Sequence, residues 1–248
     1  MRFLLQPCWV TGLALLSFPV MGNGPAVVAS LSPADLVEYE TQPPQIQALI
    51  EAALSLTEKK LYYRFGSNSP DLGGMDCSGA VQYTLIQAGM KEVPRSSYKI
   101  YHWANDRGTL ISTREALSVE DPVFGQLKPG DLLFWEGTYD VTDRNPPISH
   151  VMIYLGRHKF DGLPIMFGSS DGRHYRRQRI NGVSVFDWKI PRPQDKSKFV
   201  AYGPIPGLLD MEDQMPTASA IPVGEKDGLD SLKSVFEKVF RSRDTSGP

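Results

Sequence analysis

The residue best placed for covalent chemistry in this sequence is Cys77. It follows Asp76, a residue type that commonly caps a helix, and would therefore lie in the first turn of that helix. Unpaired backbone N–H groups and the positive end of the helix dipole favour a thiolate there. An apolar stripe of Val81, Leu85 and Ala88 would turn the sulfur toward the core. A small buried hydrophobic residue is the ordinary alternative for a free cysteine, and these facts alone leave both interpretations open.

A cysteine nucleophile needs a base, and His150 is the best placed of the histidines. It begins the run 150–155, in which alternation would hold its side chain rigidly on one face of a strand. A hydrogen-bonded core residue is the alternative for a single strand histidine. We expect His102, which stands between two aromatic residues, to be structural, and His158 and His174 to lie in loops.

Periodicity predicts the elements that must position these two residues. Apolar residues at helical spacing predict a helix over residues 45–60, and a second helix would run from Cys77 to a stop near Gly89. Strands are predicted at 131–135, 150–155, 164–168, 183–187 and 199–203, with turn-rich segments between them. Helices followed by strands indicate an α+β fold with a largely antiparallel sheet.

Composition excludes several classes of protein. The 248 residues, 41% of them hydrophobic and 22% charged, suffice for one catalytic domain with a substantial core. The formal charge of −2 provides no basic surface for nucleic acid or for an anionic membrane. With only Cys8 and Cys77, the chain alone cannot build a disulfide scaffold or a four-cysteine zinc site.

The start of the chain predicts a secretory signal peptide over residues 1–29, cleaved after Ala29. A charged start is followed by an apolar stretch and then by small residues. A transmembrane anchor is the alternative, but prolines interrupt the apolar run. We therefore expect an exported protein, periplasmic or extracellular, without stable membrane insertion after cleavage. Cys77 would then have no partner for an internal disulfide.

The remainder divides into three predicted parts: an N-terminal arm at 30–44, a catalytic domain at 45–207, and a flexible tail at 208–248. The proline-interrupted arm could lie on the domain or serve as a linker. The tail carries a helical apolar stripe of Leu229, Leu232, Val235, Phe236, Val239 and Phe240. We expect this stripe to dock on the domain or on a partner.

Five segments, in this order, resemble the NlpC/P60 cell-wall cysteine peptidases over about residues 45–205. They are Tyr-Arg-Phe-Gly at 63–66, Met-Asp-Cys-Ser-Gly at 75–79, Val-Pro-Arg-Ser-Ser at 93–97, Leu-Lys-Pro-Gly-Asp-Leu-Leu-Phe-Trp at 127–135 and Ser-His-Val-Met-Ile-Tyr-Leu-Gly at 149–156. The resemblance implies a papain-like fold in which N-terminal helices pack on the sheet. It also implies Cys77 as nucleophile, His150 as base, Tyr63 as a stabiliser of the oxyanion, and Asp76 and Ser78 as substrate contacts, with no metal or cofactor.

One position departs from the family pattern. The family commonly has a third polar residue, often histidine, on the strand that follows the base, and Phe167 stands at that position here. Phenylalanine cannot accept a hydrogen bond. Ser169, two residues further on the same strand face, is the first candidate to replace it, followed by Asp171 and His174.

Four arginines, Arg173, Arg176, Arg177 and Arg179, form the one dense basic patch in the sequence. A solvated hairpin loop is the plain interpretation. The functional interpretation is that the patch, and Arg173 first, binds carboxylates of an acidic stem peptide.

The resemblance implies a thiol protease acting on peptidoglycan stem peptides or released muropeptides, as an endopeptidase or dipeptidase, plausibly at the γ-D-glutamyl–diamino acid bond. An amidase or acyltransferase on the same scaffold is the catalytic alternative, because cysteine–histidine chemistry does not choose the acceptor. From another class, an inactive cell-wall-binding module is the alternative that Phe167 raises.

Overall fold

Three α-helices precede most of the strands in the computed structural model, which describes residues 26–210. They are α1 (Pro44–Glu58), α2 (Cys77–Gln87) and α3 (Ser97–Asn105), with short 3-10 turns at Pro33–Asp35, Tyr39–Thr41, Pro70–Leu72 and Pro122–Gln126. Periodicity predicted α1 and α2 to within a few residues. It missed α3, whose buried apolar residues are Ile100 and Ala104, too few to form a pattern. Most of the predicted signal peptide and the predicted tail helix lie outside the described residues.

A six-stranded sheet forms the other layer. Its strands are β3 (Ile111–Ser112), β4 (Leu132–Glu136), β5 (Ile148–Arg157), β6 (Pro164–Ser170), β9 (Gly182–Asp187) and β10 (Lys198–Gly203). They run in the order β3-β10-β4-β5-β6-β9, and every neighbouring pair is antiparallel. Two small pairs stand apart: β1 (Tyr62–Tyr63) with β2 (Gly74–Met75), and β7 (His174–Tyr175) with β8 (Gln178–Arg179). The predicted mixture of helices and antiparallel sheet is confirmed.

Both faces of the sheet are buried. The helices cover one face, where Tyr101 of α3 meets Phe134 of β4 edge-on. The aromatic cluster on the other face includes Trp135, Tyr154 and Phe186, and Phe124 from a 3-10 turn packs into it. The central strands are therefore buried along almost their whole length rather than at alternate positions.

The predicted arm at 30–44 lies on the domain, one of its two predicted arrangements: the Val37 amide donates to the Arg157 carbonyl at 2.8 Å, and Leu36 pairs with His158. The residues just before the arm also contact the sheet. Val27 and Ala29 accept backbone hydrogen bonds from Asn181 and Val185, so they cover the free edge of β9. The Ser184 hydroxyl also accepts a hydrogen bond from the Ala29 amide at 2.8 Å. These contacts lie on the N-terminal side of the predicted cleavage point, and cleavage after Ala29 would remove them. Among residues 26–210, no helix is both long and apolar enough to span a bilayer.

Candidate active site

The loop before α2 fixes the position of Cys77. Tyr63 pairs with Met75 in the β1–β2 ladder, and the Asp76 amide donates to the Ser67 carbonyl at 2.9 Å. In the first turn of α2, a Cβ on Gly79 would stand 2.2 Å from that same carbonyl oxygen. Glycine is therefore required for the 66–68 loop to lie against the helix start.

Asp76 is the helix cap, as predicted, and the centre of a charged network. Its carboxylate accepts hydrogen bonds from the backbone amides of Gly79 (2.6 Å) and Gly66 (2.9 Å). Both terminal nitrogens of Arg95 also donate to it, at 3.0 and 2.7 Å, and Arg95 donates to the Ser78 hydroxyl at 2.9 Å. Asp76 and Ser78, the predicted substrate contacts, are thus already bound to Arg95 beside the cysteine.

Cys77 lies where two central strands separate. Backbone pairing between β5 and β6 ends at Ile153 and Phe167, and beyond that point each strand pairs only with its other neighbour. The Val151 amide, freed from the β6 ladder, hydrogen-bonds the Cys77 sulfur, as does the Ser78 amide. Helix α2 therefore inserts its first residue at a split in the sheet, directly beside the residue that follows His150.

His150 and Cys77 line adjoining recesses at this split. Cys77 borders a recess of about 290 Å³ with Ser78 and Arg95, and His150 borders one of about 690 Å³ with Ser170 and Arg173. The same three aromatic side chains, Tyr63, Phe65 and Tyr139, line both recesses. Phe65 and Tyr139 meet edge-on, with ring centroids 5.8 Å apart. The structure thus brings together the predicted nucleophile, base and oxyanion tyrosine around one cleft.

The electrostatics of the cleft reverse one expectation from the sequence. Burial raises the pKa of the Cys77 thiol to about 11, and the Asp76 carboxylate adds to that rise. The amide hydrogen bonds from Val151 and Ser78 oppose it without overcoming it. Burial, and then the positive charge of Arg173, hold the pKa of His150 well below its usual value. The resting pair is therefore a thiol and a neutral imidazole, not the thiolate that the helix dipole alone suggests.

Tyr63 stays protonated in this setting. Burial raises its pKa, and the neighbouring Cys77 and Asp76 raise it further. A protonated phenol is a hydrogen-bond donor, which is the form that stabilisation of an oxyanion requires.

The expectation that Ser169 orients the base needs correction. Its hydroxyl donates to the Met75 carbonyl at 2.7 Å, so it holds the segment before Cys77. Phe167 is fully buried opposite Ile153, three residues from His150 along β5. Of the other two candidates, Asp171 lines the His150 recess, whereas His174 is exposed on β7. Within residues 26–210, no side chain forms a hydrogen bond with the Nε2 atom of His150.

The basic patch separates into side chains with different partners. Arg176 forms a salt bridge with Asp161, Arg179 donates to the Asp171 carbonyl, and Arg177 lies exposed in the β7–β8 turn. Arg173 alone reaches the cleft, where its guanidinium carbon lies 4.2 Å from the centre of the Trp135 ring. Of the four, only Arg173 lines the cleft, and its binding of a substrate carboxylate stays a prediction.

Sequence reasoning missed four residues that line the cleft, Phe65, Arg95, Tyr139 and Ser170, and also Trp135, which packs against His150. Phe65, Arg95 and Trp135 all stand inside segments that resemble the family, so their presence in those segments was the available signal. Tyr139 lies in the β4–β5 loop, where no pattern predicts which side chain turns toward the cleft.

A cysteine at a helix start beside a strand histidine is the arrangement of proteins that perform thiol-dependent acyl chemistry. Residues 60–179 match the sequence model of the NlpC/P60 family. All five segments that resemble this family lie within the matched residues.

Three curated bacterial proteins are similar to this chain. Gamma-DL-glutamyl hydrolase of Bacillus subtilis (strain 168) is 32% identical over 132 residues, which are 50% of this chain and 26% of that protein. Murein DD-endopeptidase MepH of Escherichia coli (strain K12) is 33% identical over 135 residues, 52% of this chain and 43% of its own. Bifunctional muramidase/DL-endopeptidase CwlT of Bacillus subtilis (strain 168) is 34% identical over 109 residues, 44% of this chain and 25% of its own. The matched region is thus less than half the length of each relative.

Proposed function

We propose that the protein is an exported cysteine peptidase with a papain-like catalytic domain, and that it cleaves amide bonds in peptidoglycan stem peptides. The observation that carries this proposal is the split between β5 and β6, where the sulfur of Cys77 is hydrogen-bonded by the amide next to His150. The names of the three relatives, all hydrolases or endopeptidases, support the same reaction class. Export rests on the predicted signal peptide, with the periplasm or the cell exterior as destination.

The protonation states of the site define the order of the chemical steps. Because the resting pair is neutral, His150 takes the thiol proton as the sulfur of Cys77 attacks the peptide carbonyl. The carbonyl oxygen gains negative charge, and the protonated Tyr63 hydroxyl and backbone N–H groups at the start of α2 stabilise it. The C–N bond then breaks as His150 gives its proton to the leaving amine. Water activated by the neutral imidazole hydrolyses the thioester and restores the thiol.

Charge around the cleft favours an acidic peptide. Arg95 and Arg144 line the recess of Cys77, and Arg173 and Lys196 line that of His150. Asp76 offsets one positive charge in the smaller recess, and Asp171 and Asp195 offset both in the larger one, so the excess of positive charge lies on the Cys77 side. Stem peptides carry several carboxylates, and we propose the γ-D-glutamyl–diamino acid bond as the one cleaved. Two of the relatives are named for DL or gamma-DL bonds and one for DD bonds, so the DD bond is the competing choice.

Defined peptides test this proposal. Purified protein would be incubated with stem peptides that contain either the γ-D-glutamyl–diamino acid bond or a DD cross-link, and the products would be identified by mass spectrometry. We expect cleavage of the first bond, which Cys77→Ala and His150→Ala abolish. His158→Gln is the matched control, because His158 lies beyond the far end of β5 and bonds only the Phe160 amide through its side chain.

The other outcomes separate the alternatives. Transfer of the acyl group to an added amine without hydrolysis would identify an acyltransferase. Intact peptides that bind with equal affinity to the native chain and to Cys77→Ala would identify a binding module and overturn the proposal.

A further inference from the structure

Among residues 26–210, no side chain serves as the hydrogen-bonding partner that ordinarily orients a catalytic imidazole such as that of His150. Phe167 has no acceptor atom, and Ser169 gives its hydroxyl proton to Met75. His150 is buried, with only 6% of the residue exposed. An imidazole held there needs some other group to fix its orientation.

Instead of such a partner, His150 contacts the Trp135 ring, and Arg173 in turn lies over Trp135. Trp135 is the cross-strand partner of His150 in the β4–β5 ladder, and their ring centroids are 5.7 Å apart at an interplanar angle of 64°. The guanidinium of Arg173 covers Trp135, with 4.2 Å between its carbon atom and the ring centre. Trp135 is completely buried, so it can transmit the constraint without moving.

The charge of Arg173 has no salt-bridge partner in the part of the chain that the structure describes. In the same hairpin, the guanidinium groups of Arg176 and Arg179 are bound to oxygen atoms of Asp161 and Asp171. Arg173 makes neither a salt bridge nor a side-chain hydrogen bond to residues 26–210. Its positive charge therefore acts mainly on the groups that border the same recess.

We propose that Arg173 is a positioning residue for His150: through Trp135 it fixes the orientation of the imidazole, and by its charge it keeps the imidazole neutral. This rests on the proposed function in one respect, that His150 serves as the base. A hydrogen-bond acceptor at the Phe167 position would favour the imidazolium. A cation does the opposite and keeps the base ready to accept a proton in mildly acidic surroundings.

Titratable and charged groups from each neighbouring element line the two adjoining recesses beside the imidazole. They are Cys77 of α2, Tyr63 of β1, Tyr139 of the β4–β5 loop, Asp171 and Arg173 of the β6–β7 turn, and Asp195 and Lys196 of the β9–β10 loop. Of these, Arg173 is the charged group that, after burial, lowers the pKa of His150.

The experiment is a titration of the His150 imidazole by nuclear magnetic resonance in the full chain. Arg173→Met keeps the length of the side chain but removes the charge, whereas Arg173→Lys keeps the charge but removes the planar stack. Arg177→Met is the matched control, since Arg177 lies exposed at the tip of the same hairpin. We expect Arg173→Met to raise the pKa of His150 above its value in the native chain. Arg173→Lys should leave the pKa near the native value but broaden the imidazole resonances, and Arg177→Met should change neither.

Peptide hydrolysis provides a second readout. The acidic limb of kcat/KM should move to higher pH in Arg173→Met by the same amount as the pKa. If Arg173 only bound a substrate carboxylate, its replacement would raise KM and leave the pKa of His150 unchanged, and that result would overturn the inference. Equal pKa values in Arg173→Met and Arg177→Met would also overturn it. Because the titration needs no turnover, a shifted pKa in a chain that hydrolyses nothing would refute the proposed function alone.

Discussion

The backbone amide of Val151 hydrogen-bonds the sulfur of Cys77 and so ties the helix that carries the nucleophile to the strand that carries the base. The bond exists because β5 and β6 stop pairing at Ile153 and Phe167, which frees the Val151 amide. A continuous ladder would have used that amide within the sheet and left no room for a helix start. The site is thus created by a local failure of sheet pairing.

Ser169→Ala tests what holds the nucleophile in that split. Loss of its hydroxyl leaves the buried Met75 carbonyl with the Arg64 amide as its remaining donor, and the free energy of unfolding should fall by about 1 kcal/mol. Urea denaturation measures the change. The acidic limb of the pH–rate profile should not move, because Ser169 does not act through His150. A shifted limb with unchanged stability would instead restore Ser169 as the orienting residue. Ser118→Ala, which removes an exposed hydroxyl bonded only to nearby Glu120, is the control.

The reactivity of Cys77 should reveal a thiol at rest. In a chain that begins at Ala26, Cys77 is the sole cysteine, so alkylation by iodoacetamide reports on it alone. With its pKa raised to about 11, the native rate constant should keep rising about tenfold per pH unit beyond pH 9. In urea the same rate should level off near pH 8.5, about the pKa of an exposed thiol.

The raised pKa of the Cys77 thiol also makes the free energy of unfolding depend on pH. The pKa of the thiol is higher in the folded chain than in the unfolded chain, so this contribution is fully present below about pH 8.5. It is lost as the pH rises toward 11. A native alkylation rate that levels off below pH 8 would contradict the prediction and indicate a thiolate–imidazolium pair.

Local sequence patterns predicted much of this site. The remaining features depend on contacts between segments that are distant in the sequence, which such patterns do not show. The start of α2 at Cys77 followed from Asp76 and the apolar stripe, and the strand of His150 followed from alternation, because both signals lie within a few residues. The separation of β5 from β6 depends on register between distant segments. Likewise, Arg173 reaches Trp135 of β4 only because of the path taken by the turn that follows β6. The apolar stripe indicated that the sulfur faces the core, but the sequence does not show that burial outweighs the helix dipole, which favours a thiolate.

Residues 26–29, just before the N-terminal arm, should stabilise the domain, although the predicted signal cleavage would remove them. Chains that begin at Ala26 and at Ser30 differ in the hydrogen bonds of Val27 and Ala29 to the edge of β9. We expect the longer chain to have the larger free energy of unfolding, by about 1–3 kcal/mol, measured by urea denaturation. Ser184→Ala, introduced into both chains, should destabilise the longer one more, since the Ser184 hydroxyl bonds Ala29.

Equal stabilities of the two chains would contradict this role of residues 26–29. The mass of the exported protein then locates the natural cleavage point. A mature chain that starts at Ser30 would agree with the signal prediction, and one that starts nearer residue 26 would retain the contacts with β9.

Asp131, far from the cleft at the start of β4, should make the protein less stable as the pH rises. The residue is only 6% exposed, and burial raises the pKa of its carboxyl to about 7, although the Lys128 amide donates to one of its oxygens at 2.9 Å. A carboxyl whose pKa is higher in the folded chain stabilises fully below the unfolded pKa of about 3.9. That contribution declines as the pH rises from about 4 to 7.

Asp131→Asn should remove this dependence, because an amide oxygen can still accept from Lys128 but carries no titrating proton. Relative to the native chain, the variant should gain up to about 4 kcal/mol of unfolding free energy between pH 4 and pH 8, since three units of pKa shift correspond to that amount. Urea denaturation across this range measures the gain. Asp143→Asn, which changes a carboxylate with an 84% exposed side chain, should follow the native pH dependence. Parallel curves for Asp131→Asn and the native chain would show that the Asp131 carboxyl is ionised at neutral pH despite its burial.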